Sequence, residues 1–142
     1  MTTFRSQHQS LLQFKGVLGL FKPGMEDEEK IALAEEYWEP EIRENMVYWL
    51  AVCCDREAIP FDPIPYGEGG TTYREDPLAT PMELVDMLYE ELNTDEAMEL
   101  LKDLEGHMFG IAYNAFRRVL SRDLSCVYVT PNLADKIMET IG

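Results

Sequence analysis

The chain reads as an all-α protein: one compact domain over residues 1–142, with about six helices packed round a central apolar helix at 41–55. Three observations predict this. Apolar residues recur at spacings of three and four along most of the chain, the period of an amphipathic helix. Two helix starts are spelled as a capping threonine followed by proline, Thr80-Pro81 and Thr130-Pro131. Finally, Glu41–Cys54 carries no charge after Arg43 and Glu44. A helix apolar round most of its circumference belongs in a fold's interior. With 142 residues, 46% of them hydrophobic, the chain can bury about 70% of the surface it would expose unfolded.

Taken in order, Phe4–Phe21 is expected to form a first helix with Phe4, Leu11, Leu12, Val17, Leu18 and Phe21 inward, weakened by Gly16 and Gly19. Lys22-Pro23-Gly24 breaks it. A second helix starts near Glu26, where Glu26, Asp27, Glu28 and Glu29 suit the positive end of the helix dipole. Its inward residues are Ile31, Ala34, Tyr37 and Trp38, and Pro40 ends it. In the central helix, Ile42, Met46, Trp49, Leu50 and Cys53 form the main face, with Val47, Ala51 and Cys54 beside it. Residues 58–80, rich in proline and glycine, form a long loop with room for a small hairpin at 64–73.

Thr80 caps the next helix, with Leu84, Val85, Leu88 and Leu92 inward, and Asn93-Thr94 leads into a shorter one with Ala97, Leu101 and Leu104 inward. Gly106 stops that helix. His107–Arg122 follows, with Phe109, Ala112, Phe116, Val119 and Leu120 as its core face. Ser125–Val129 is a brief extended link, and a closing helix presents Leu133, Ala134, Ile137, Met138 and Ile141.

The charge narrows the function classes. The chain has 27 acids against 12 bases, a net charge of −15. Residues 26–106 hold 24 of those acids and five bases, a net of −19, between ends of +3 (1–25) and +1 (107–142). Such a middle repels phosphate and attracts cationic partners. The cationic ends can lie against it or be offered to a second copy, so a homo-oligomer is allowed. The longest apolar run, Leu11–Phe21, is short and contains Gln13 and Lys15, so neither a membrane span nor a signal peptide is expected. Three cysteines, Cys53, Cys54 and Cys126, fit reduced thiols in a cytoplasm better than a disulfide scaffold.

No catalytic or metal constellation is spelled. His8 and His107 are the only histidines and lie far in sequence from Cys53-Cys54. Gly67-Glu68-Gly69-Gly70-Thr71-Thr72 superficially resembles a phosphate loop but lacks its lysine and carries an acid. An enzyme is therefore not expected, nor a cofactor. The expected function is docking of a negative face on a basic protein surface, for instance on a nucleic-acid-processing enzyme, by a nucleic-acid mimic, inhibitor or immunity protein. Candidate face residues are Glu28, Glu35, Glu36, Glu68, Glu75, Asp76, Glu90 and Glu91, with Tyr66 and Tyr73 as aromatic anchors on the loop.

One stretch points elsewhere. The helical pair 95–104 and 107–122 has a helix-turn-helix outline, and Arg117, Arg118 and Arg122 on its second helix are candidate contacts to DNA or to another subunit. Leu104, then Ala112-Tyr113-Asn114-Ala115, Arg117, Leu120 and Arg122, followed by an extended link and a proline-started helix, resembles the C-terminal part of DNA maturase A, the small terminase subunit of short-tailed phages. The match covers under a third of the chain. It implies a non-catalytic, ring-forming subunit that helps the large terminase engage phage DNA in a host cytoplasm. Tyr113, Asn114, Arg117 and Arg122 would then serve as packing or contact residues.

Overall fold

Among the described residues the chain forms the helices α1 Phe4–Leu18, α2 Asp27–Tyr37, a 3-10 turn Pro40–Ile42, α3 Arg43–Cys54, α4 Pro81–Tyr89, α5 Thr94–Glu105, α6 Gly110–Ser121 and α7 Pro131–Ile141. The computed structural model describes residues 3–54, 70, 73–89, 94–122, 124 and 127–142. Among these there is no strand, only an isolated bridge pairing Gly70 with Phe109. The all-α expectation holds.

α1 begins where Thr3 and Ser6 cap each other: the Ser6 amide donates to Thr3 Oγ1 and the Thr3 amide to Ser6 Oγ, both at 3.1 Å. Such a box satisfies two donors that the first turn cannot. α1 ends at Leu18, three residues short of expectation, and the chain turns through Gly24 at φ 84°. Glu39 is extended, as a residue before proline must be, and Pro40 opens the 3-10 turn into α3. Thr80 and Thr130 both cap as their sequences predict, accepting from the amides of Glu83 and Leu133 at 3.2 Å.

The core lies where α1, α3, α6 and α7 meet. α1 packs most extensively on α6 and also touches α2, α3 and α4, while α3 lies against α6 and α7. Trp38, Met46, Trp49 and Leu50 are all fully buried. Phe14 stacks on Trp38 at 5.9 Å, and Phe116 meets Trp49 edge-on at 6.2 Å. Both indole N–H groups find acceptors in α1: Trp38 donates to the Gln13 carbonyl at 3.0 Å and Trp49 to Ser10 Oγ at 2.9 Å. A buried indole left without such a partner would forfeit part of its gain.

Several sequence expectations need correction. Ala51 is exposed, so α3 has a wet side. Tyr37 faces solvent at 54% exposure, while Lys30 of the same helix turns inward at 6%. α6 starts at Gly110 rather than His107, and Phe109, expected in its core face, is 42% exposed ahead of the first turn. Of the link expected at Ser125–Val129, residues 127–129 are not extended, with Tyr128 in the left-handed region at φ 61°, and Ser125 lies outside the described residues. Leu92 and Cys126, and the 64–73 hairpin apart from Gly70 and Tyr73, lie outside the described residues.

Candidate interaction surface

α2 and its flanks carry the acidic face. Glu26, Glu28, Glu29, Glu35, Glu36, Glu39 and Glu41 are all exposed. What leaves them uncompensated is the way the acidic block uses its own cations. Lys30 Nζ donates to the Tyr128 carbonyl at 2.6 Å and lies over the Phe21 ring at 5.9 Å. Arg43 donates to the carbonyls of Trp38, at 3.1 Å, and Glu35. Arg74 holds the Gly106 carbonyl through Nε at 3.2 Å and Nη2 at 2.8 Å. So three of the five bases in residues 26–106 tie down backbone oxygens and neutralise no carboxylate through those bonds. Asp27 does meet Lys136 of α7 at 3.7 Å, in an exposed pair worth little.

Of the expected face residues, Glu28, Glu35, Glu36, Glu75 and Asp76 are exposed as required. Glu75 accepts from the Tyr73 hydroxyl at 3.2 Å, and Asp76 occupies a left-handed turn at φ 64°. Glu68, Glu90, Glu91 and Tyr66 lie outside the described residues. Tyr73 is no free anchor. Its ring stacks on Phe4 at 5.6 Å and meets His8 edge-on at 4.8 Å, and burial, followed by the bond to Glu75, raises its pKa.

The arginines divide. Arg117, expected at a DNA or subunit contact, is buried at 6% exposure, and its charge opposes the rise that burial imposes on the pKa of Tyr113, one turn earlier. Residues 113, 117 and 120 share α6's inner stripe, which takes Arg117 inward. Arg118 is half-buried and, with Lys15 of α1, rims a small apolar hollow of about 120 Å³. Arg122 ends α6 in the left-handed conformation at φ 56°.

Sequence reasoning missed two features. The first is a strap. Gly70 and residues 73–78 are laced to the end of α5 and the turn after it by Gly70 N–H to the Met108 carbonyl (2.9 Å), Arg74 N–H to the His107 carbonyl (3.1 Å) and Leu78 N–H to Asp103 Oδ2 (2.8 Å). His8, 3% exposed, lies beside it, and its Nε2 accepts the Phe109 amide at 3.2 Å. Burial lowers the His8 pKa. Phe4, His8 and Phe109 were visible in sequence, but nothing local told that they meet.

The second is a cleft of about 650 Å³ between α1, α3 and α4. Val47, Tyr48 and Met82 give it apolar walls, Gln7, Asn45 and Thr80 add polar groups, and Glu44, Glu83 and Asp86 are its charged residues, all exposed. Tyr48 Oη reaches Asp86 Oδ1 at 3.1 Å, and Gln7 Oε1 accepts the Met82 amide at 2.9 Å.

Nucleophilic chemistry finds little footing. Burial, reinforced by Cys54, pushes the buried Cys53 thiol far up, and Cys54 is raised by burial and then by Asp135. Among the described residues no group of three or more His, Cys, Asp or Glu gathers to hold a metal, and no helix is long and apolar enough to cross a membrane. The chain matches no family model, no curated protein and no solved structure at a significant level.

Proposed function

We propose that this protein is a non-catalytic interaction protein that docks its acidic face on a basic surface of a partner. The observation that carries this is the diversion of Lys30, Arg43 and Arg74 to backbone carbonyls, which leaves the α2 carboxylates facing solvent without those counter-charges. Fixed like charges on one side of a rigid helix raise the encounter rate with a cationic surface and lose their reach as salt rises. Mimicry of nucleic acid, inhibition of a nucleic-acid enzyme and neutralisation of a toxin all use this physics. The test is retention of partners from lysate on immobilised protein at low and high salt. Salt-sensitive retention of basic proteins is expected, and a partner held equally at both salts overturns electrostatic docking.

A phage packaging subunit is the second candidate. It is favoured by the burial of Leu104, Ala112, Tyr113, Ala115, Arg117 and Leu120, six of the eight residues that carry the small-terminase resemblance, since a shared packing stripe is what related helices would keep. Arg118 and Arg122 would then make the outward contacts. Light scattering decides: a ring supports it, and a strict monomer at high concentration, with and without DNA, removes it.

A further inference from the structure

We propose that the cleft between α1, α3 and α4 is an arginine-binding site, taking a guanidinium and its aliphatic stem from the basic surface of a partner protein. The idea rests on acidic docking and gives that docking an address, distinct from the α2 face.

Three features converge on this ligand. Each charged residue lining the cleft is an acid, and no ion pair among the described residues reaches Glu44, Glu83 or Asp86. The apolar walls, Val47 and Met82, suit methylene groups rather than a hydrated ion. Asn45, only 3% exposed, also lines the cleft. Among the described residues its one side-chain hydrogen bond is a long one, 3.4 Å from Nδ2 to the Ser6 carbonyl. Its oxygen remains an acceptor for an incoming donor.

Arginine fits better than lysine. The acceptors are spread over two helices: Glu44 and Asn45 on α3, Glu83 and Asp86 on α4. A planar fork of five donors can engage several of them while its face lies on an aromatic ring such as that of Tyr48. An ammonium is a point charge that gives up water less readily. Charge that is desolvated against a partly apolar wall also gains more than the same charge at an open surface.

The experiment titrates the full chain with fluorescein-labelled hexa-arginine and hexa-lysine at low salt. Two charge-matched variants are compared, Glu44→Gln/Glu83→Gln/Asp86→Asn in the cleft and Glu28→Gln/Glu35→Gln/Glu36→Gln on α2. The cleft variant should lose about tenfold in affinity for hexa-arginine and lose the preference for it over hexa-lysine, while the α2 variant loses about twofold. In wild-type protein the Asn45 side-chain amide resonances should move on adding hexa-arginine. Equal losses in the two variants, or an unmoved Asn45, overturn the cleft site and leave acidic docking standing. If the wild type binds neither peptide, acidic docking itself fails and the cleft falls with it.

Discussion

α2 and α6 put their charges to opposite uses. α2 is an acidic helix that turns its one lysine inward and its glutamates out, whereas α6 is an apolar helix that buries Arg117 among its core residues. The buried Lys30 is held by the Tyr128 carbonyl, and the buried Arg117 lies near enough to Tyr113 for its charge to act on that hydroxyl. The difference teaches that net charge and exposed charge are separate quantities. This chain is more negative outside than its composition implies, because some of its scarce cations serve as internal struts.

The contrast can be broken by substitution. The interior sets the largest effect. Trp49→Ala removes a fully buried indole and its bond to Ser10, and should cost about 3–5 kcal/mol in urea unfolding. Next is Lys30→Met, which keeps most of the volume but strands the Tyr128 carbonyl. A loss of about 2 kcal/mol is expected, while Glu28→Gln on the same helix should change stability by less than about 0.5 kcal/mol. If the two cost the same, Lys30 is not a strut. Third, the strap is sensitive to bulk. A Cβ on Gly70 would sit 3.0 Å from the carbonyl oxygens of Glu105 and Met108, so Gly70→Ala should cost about 1–2 kcal/mol. Gly16→Ala in the open α1 interior should instead stabilise by up to about 1 kcal/mol.

The smallest effect is with pH. His8 is neutral in the fold, accepting the Phe109 amide, and burial depresses its pKa below the ordinary 6.5. The unfolded chain therefore binds more protons as pH falls below about 6.5. The stability His8 contributes is complete above that pH and is lost as pH drops through its folded pKa. Arg5 and Tyr73 line the same small hollow. Thermal melts from pH 8 to about pH 5 should show a decline that His8→Gln flattens, and an identical decline in the variant would remove His8 as the cause.

The helices, their caps and most core positions were legible in sequence, because helical periodicity and capping are local: Thr80, Thr130, Trp49 and Phe116 need only their neighbours in the chain. The acidity of the surface was legible too, as a sum over residues. Local pattern failed at Tyr37 and Phe109, each apolar enough to be assigned inward and each left about half exposed.

Only the tertiary structure decided where the cations point, that Gly70 and residues 73–78 strap onto the α5–α6 turn beside His8, and that α1, α3 and α4 leave an acid-lined cleft. Each of these joins segments dozens of residues apart. Their free energy belongs to pairs of distant groups, and no window of sequence contains both members of such a pair.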